Sequence, residues 1–281
     1  MSGTSSPSLR VDRTGPGGVV ARVTLSRPDV HNAFDAALIA ELRTTFATLA
    51  REDPARLRAV VLAGDGPSFC AGADLAWMRA AMALDTEGNE QDAMAMADMF
   101  ETIDICPAPV IARVHGSALG GGMGLLAVSD LVIAESGTRF GFTETRLGIL
   151  PSVISPFVVA KIGESHARAL FPGGRRFDAT RAARIGLVHE IVEGETALST
   201  AASSAVSPST ISWTFLPRAR RPLGLPRRSC ARSGASVTVR RSGTRPGSSP
   251  DNGRATRPRR ASARSRRNAG RAGRPTSTAA N

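Results

Sequence analysis

Two glycine-containing stretches carry the chemistry this chain could do, and one glutamate stands near them in the sequence. The first stretch is HGSALGGGMGLLAVSD, residues 115–130. Its three consecutive glycines, Gly120 to Gly122, follow the apolar run PVIARV and precede a second apolar run. Glycine inside a regular element costs about 0.5–1 kcal/mol relative to alanine, so three at a buried junction, and a fourth at Gly124, need a reason. A helix start supplies one. Its first backbone N–H groups lack an intrahelical partner and lie at the positive end of the helix dipole. Without a Cβ in the way, an anionic oxygen can sit directly on them. Close helix–strand packing would account for the same glycines, and both readings fit the run. A second junction, SFCAGADL at 68–75, follows the strand-like LRAVVLAG and precedes a helical stretch. Two such N–H donors facing one oxygen stabilise an enolate or a tetrahedral oxyanion. The glutamate is Glu144, in FGFTETRLG; read by itself it is a solvated residue at a helix start.

Other chemistries lack their residues. The single lysine, Lys161, is not in a GxxxxGK setting, so there is no phosphate-binding P-loop. No HExxH and no CxxC is present, and no metal site is visible. GSALG at 116–120 is not a GxSxG nucleophile elbow, and Ser117 reads as a loop or buried serine. His31, His115, His166 and His189 lie apart and read as structural. Cys70, Cys106 and Cys230 are odd in number and widely spaced, which fits a reducing cytoplasm without a disulfide framework. No N-terminal signal pattern and no apolar run of spanning length occurs.

These candidates need a scaffold, and the first 205 residues predict one. Short apolar runs at 18–25, 57–64, 109–116, 131–134 and 187–192 read as strands. Phe34, Leu38, Ile39, Leu42, Phe46 and Leu49 recur at helical spacing and predict an amphipathic helix over 33–51. Met94, Met99, Phe100 and Ile103 mark another helix, and 153–171 and 179–186 also read as helical. Strands alternating with helices make an α/β domain, assigned to 17–205 behind a flexible N-terminus of residues 1–16. From 206 the pattern stops. Residues 1–205 hold 18 Lys and Arg against 23 Asp and Glu, whereas 206–281 hold 18 Arg against one acid, Asp251. That segment is rich in Arg, Pro, Gly and Ser and predicts disorder.

Four motifs in order, RPDVHNAF, FCAGADL, HGSALGGGMGLLAVSDLVIA and FGFTETRLGILP, resemble the enoyl-CoA hydratase/isomerase (crotonase) superfamily over residues 17–195. The resemblance implies a crotonase-like spiral of ββα units, assembled as a trimer or hexamer in the cytoplasm, that takes an acyl-CoA thioester and needs no metal or redox cofactor. It implies an oxyanion hole from the Ala73 and Gly121 N–H groups. The substrate would lie along Ala73, Asp74, Leu75, Ala76 and Gly121, with Glu144 as the catalytic carboxyl. Asp130 falls where the family has a structural Asp. Family hydratases use a second glutamate, and its position falls on Gly124. One glutamate suits an enoyl-CoA isomerase. Yet PSVISPFVV at 151–159 resembles hydratases for branched acyl-CoAs, the methylglutaconyl-CoA hydratase-like subgroup, which also carries Gly there. The leading expectation is therefore a lyase that adds water to a 2-enoyl-CoA in fatty-acid or branched-chain acyl-CoA degradation, with isomerisation as the alternative. The family continues with helices where the Arg-rich segment stands, which suggests a frameshift and an inactive or weakly active chain whose tail trypsin strips back to Arg218. A nucleic-acid binder acting through those arginines is a further alternative. With one Trp and one Phe in the segment, base stacking and specific nucleic-acid binding have little support.

Overall fold

The structure is a computed structural model that describes residues 8–207. Among these the chain runs β1 (Leu9–Thr14), β2 (Val20–Leu25), α1 (Ala36–Leu49), β3 (Ala59–Gly64), α2 (Leu75–Ala81), α3 (Thr86–Asp104), β4 (Val110–Val114), β5 (Ser117–Leu119), α4 (Gly121–Val128), β6 (Leu131–Glu135), β7 (Arg139–Gly141), α5 (Ser155–Leu170), β8 (Arg176–Asp178), α6 (Ala179–Arg184), β9 (Glu190–Val192) and α7 (Gly194–Ala205). The expected disordered segment lies outside the described residues except for Val206 and Ser207, which close α7.

A six-stranded sheet has the order β1-β2-β3-β4-β6-β9. Strand β1 is antiparallel to β2, and the other neighbours are parallel. Every residue of β3 and β4 is buried, because strands covered on both faces have no solvent side; β3 is accordingly apolar throughout, whereas β4 carries one buried charge, Arg113, paired with Glu195 and Ser199 of α7. One face packs into the main core around Phe34, Phe46, Phe69 and Phe100. On the other face, Leu198 and Ala202 of α7 cover Ala59, Ile111 and Ile133.

The second layer is made of short pieces. Strand β5 pairs in parallel with β7, and β7 antiparallel with β8. Single parallel bridges extend the same layer, Cys70 to Ala118 and Phe34 to Ala73. After each of β2, β3, β4 and β6 the chain thus makes a brief second-layer contact and then enters a helix. This is the crotonase-like spiral of ββα units expected from the motifs, and it stacks the loops that follow β3 and β4.

Two expectations need correction. The N-terminal residues 9–14, expected to be flexible, form β1. A turn at 15–18, closed by the Gly18 N–H on the Gly15 carbonyl at 3.0 Å, folds them back onto β2. Only Leu9 of β1 is buried, so no alternating apolar pattern announced the strand. The helix expected over 153–171 is broken at Gly163, whose φ of 80° and ψ of 156° leave the helical region.

Candidate active site

The two glycine junctions meet. In the bridge between Phe34 and Ala73, the Phe34 N–H donates to the Gly72 carbonyl at 2.7 Å and the Phe34 carbonyl accepts from the Asp74 N–H at 2.8 Å. Alternation along an extended strand then turns the Ala73 N–H away from Phe34. The start of α4 lies against the preceding residue, Gly72. A methyl on Gly72 would sit 2.9 Å from the Leu119 carbonyl oxygen and 3.3 Å from the Gly121 nitrogen. Neither the Ala73 nor the Gly121 N–H has a hydrogen-bond acceptor among the described residues. Sequence-distant donors from 73 and 121 are brought side by side.

The glycine triplet serves both readings at once. Gly120 has φ 49° and ψ −120°, a conformation closed to L side chains, and caps α4. Gly121 packs on an aromatic ring, since a methyl there would lie 2.7 Å from Cε2 and 2.8 Å from Cδ2 of Phe34. Gly122 faces the Cys70 carbonyl oxygen at 2.6 Å by the same measure. Gly124 has a separate reason. A methyl there would meet Ile154 Cγ2 and Phe100 Cζ, each at 2.6 Å. The space that a side chain at 124 would occupy is filled by apolar core. Spacing alone could not reveal this, because Phe100 and Ile154 are distant in sequence. Nor did it single out Phe34, whose helical spacing read only as core.

Glu144 opens a short 3₁₀ turn after β7, Glu144–Leu147. The Gly120 N–H donates to the Gly141 carbonyl at 2.9 Å, tying that segment to the start of α4. The carboxyl rests on this cap. A methyl on Gly120 would be 3.7 Å from Glu144 Oε1 and 3.8 Å from Cδ. Oε2 is buried without a hydrogen-bond partner. Burial raises the carboxyl above the ordinary range, only partly offset by a hydrogen bond from its own N–H. A solvated helix-start residue would show none of this.

Asp74 caps α2, its Oδ1 accepting from the Ala76 N–H at 2.8 Å. Burial alone would raise its carboxyl; the Ala76 and Trp77 N–H groups and Arg27 outweigh that and hold it below the usual range. Arg27 also reaches Asp35 Oδ2 at 2.8 Å and the Ala33 carbonyl, so one guanidinium joins the loops before α1 and α2. Leu75 is 58% exposed and Ala76 is exposed, placing both on an open face beside Ala73. Asp130 accepts from the Val110 N–H at 2.8 Å and joins α4 to β4. Cys70, in the Ala73 loop, is pushed up to about 12 by burial and stays a thiol. Among the described residues, no three His, Cys, Asp or Glu side chains gather as a metal cluster, and no helix is long and apolar enough to cross a membrane.

The sequence profile of the enoyl-CoA hydratase/isomerase family matches residues 16–208. The chain belongs to the enoyl-CoA hydratase/isomerase family. It is 34% identical over 177 residues to the enoyl-CoA hydratase ACTT6 of Alternaria alternata, covering 63% of this chain and 57% of that one. It is 30% identical over 200 residues to the enoyl-CoA isomerase/hydratase fer4 of Mycosarcoma maydis, covering 68% and 70%. The crystal structure of an enoyl-CoA hydratase from Shewanella pealeana superposes with a TM-score of 0.66 at 34% identity, covering 73% of this chain and 77% of that one. The match thus spans little more than half of the Alternaria relative.

Proposed function

We propose that this member of the family binds a 2-enoyl-CoA thioester and adds water across its double bond. The observation that carries the reading is Glu144 on the Gly120 cap, half-buried with its Oε2 enclosed and unpartnered, beside two backbone N–H groups that lack acceptors. The thioester carbonyl oxygen would lie on the Ala73 and Gly121 N–H groups, with the coenzyme along Asp74, Leu75 and Ala76. As Glu144 takes a proton from water, the hydroxide oxygen bonds to C3. The π electrons move onto the carbonyl oxygen, and the two N–H groups hold the resulting enolate. The enolate collapses and C2 takes the same proton back from Glu144. One carboxyl therefore serves as base and then as acid, and no metal or redox cofactor enters the step. Its raised pKa makes Glu144 a stronger base than an exposed carboxylate.

Incubation with crotonyl-CoA tests the reading, with hydration followed as loss of conjugated-enoyl absorbance. We expect slow but measurable turnover, lowered about 10²–10⁴-fold in Glu144→Gln, the usual worth of a general acid/base. Near-normal turnover in that variant would refute the role of Glu144. A second reading has its own support. Phe100 and Ile154 fill the space at Gly124, leaving one carboxyl, which suffices to move a proton between two carbons of an enolate. Conjugated product from a 3-enoyl-CoA, with no hydration of crotonyl-CoA, would make the chain an isomerase.

A further inference from the structure

We infer that Phe34 is a positioning residue that sets both donors of the oxyanion site, its backbone aligning the Ala73 N–H and its ring fixing the Gly121 N–H. The inference rests on the proposed enoyl-CoA reading and names a residue that this reading does not use. Three observations meet at Phe34. Its N–H and carbonyl are both bonded to the 72–74 loop, at 2.7 and 2.8 Å, so the Ala73 peptide between them has its orientation dictated. Its ring lies on Gly121, with Cε2 and Cδ2 within 2.7 and 2.8 Å of where a methyl would be. It is 0% exposed and meets Phe100 edge to face at 6.1 Å, so the ring has no room to swing away. The backbone of Phe34 is held in turn from the other side. Asn32, fully buried in a left-handed conformation with φ 56°, donates to the Asp65 and Ser68 carbonyls, both at 2.8 Å. The segment before α1 is therefore fastened to the loop after β3, and Phe34 acts as a spacer between that loop and α4.

A hydrogen-bond donor helps a developing oxyanion only at the right distance and direction. The separation of two donors on different loops must then be set by something rigid that touches both. Phe34 does so, and it is not a catalytic residue, because it works through groups that it positions. Shortening the ring should let α4 settle toward the loop and spoil the geometry while the apolar contacts that hold the substrate survive. The effect belongs on kcat rather than on KM.

The test uses 2,4-hexadienoyl-CoA, whose conjugated absorbance shifts to the red when donors polarise its carbonyl, together with crotonyl-CoA kinetics on the full chain. We expect Phe34→Leu to bind the thioester within about threefold of the parent, to lose most of the red shift and to lower kcat about 10–100-fold, since about 1 Å of misplacement costs up to 10²-fold. Phe46→Leu, an equally buried ring on α1, controls for general loosening and should keep the shift. The second arm needs no stable Phe34 single variant. Gly121→Ala should lose the shift because its methyl meets the ring, and Gly121→Ala combined with Phe34→Leu should regain part of it. An unchanged shift and kcat in Phe34→Leu overturns the inference. So does a Gly121→Ala loss that Phe34→Leu deepens rather than relieves, or a loss in Phe46→Leu as large as in Phe34→Leu. A parent chain with no red shift overturns the enoyl-CoA reading and this inference together; a parent shift with an unaffected Phe34 variant sinks this inference alone.

Discussion

Replacing Gly124 by alanine sets two effects of known size against each other. Gly124 lies inside α4, where alanine is intrinsically favoured over glycine by about 1 kcal/mol. Against this, the new methyl would stand 2.6 Å from Ile154 Cγ2 and 2.6 and 2.7 Å from Phe100 Cζ and Cε1. Neither neighbour can yield easily. Phe100 is 0% exposed and Ile154 2%, and the Phe100 ring is flanked by Phe34 at 6.1 Å and Phe157 at 5.9 Å. Overpacking of a tight core costs about 1–3 kcal/mol, occasionally more, and three contacts under 3 Å belong at the upper end of that range. The balance is a loss of about 1–2 kcal/mol, or about 2–8 °C in Tm for a domain of this size. Urea unfolding should show a lower midpoint with an unchanged slope. In a Phe100→Leu background the added cost should shrink, because the shorter side chain frees the space. A Gly124→Ala protein as stable as the parent, or more so, would refute the packing argument and leave helix propensity as the winner.

Glu144→Gln should separate activity from stability. The folded carboxyl titrates above its unfolded value of 4.5, so the fold favours the protonated form, and that advantage is lost as pH rises through the folded pKa. Above this window the glutamine variant should be at least as stable as the parent by chemical denaturation, while being nearly inactive; a less stable variant at neutral pH would count against a buried, unpartnered carboxyl. The pH–rate profile of the parent should rise through the same raised pKa, and a profile already flat just above the ordinary carboxylate range would contradict it. Lys161 offers a second titration. Its Nζ donates to the Ser129 carbonyl at 2.7 Å at the end of α4, and burial lowers it from 10.5 to about 8. Between about 8 and 9 this group leaves the unfolded chain with more bound protons, so stability should rise with pH there; above 9 the Cys70 thiol, kept protonated by burial, pulls the other way. The chain has no tyrosine and no other lysine, so Cys70 is the main group that opposes it. Lys161→Met should flatten the dependence, and an unflattened curve would place the titration elsewhere.

The sequence determined the local alternation of this fold and the residue types at its site. Mainly apolar runs marked β2, β3, β4 and β6 because strands buried on both faces are mostly apolar. Period 3.6 marked α1, with Leu38, Ile39, Leu42, Phe46 and Leu49 on its buried side. The motifs singled out Ala73, Gly121 and Glu144 as candidates. Only the tertiary structure decided what those residues face. Three-residue strands such as β5, β7 and β8 are too short for any period to show. Strand β1 was silent because it buries one side chain. That Gly124 is a glycine for Phe100 and Ile154, that the Phe34 ring lies on Gly121, and that the Glu144 carboxyl rests on Gly120 are contacts between residues far apart in the chain. Periodicity records which side of its own element a residue occupies. The neighbour across the gap is fixed only when the elements pack, because shape complementarity between distant side chains leaves no repeating trace along the sequence.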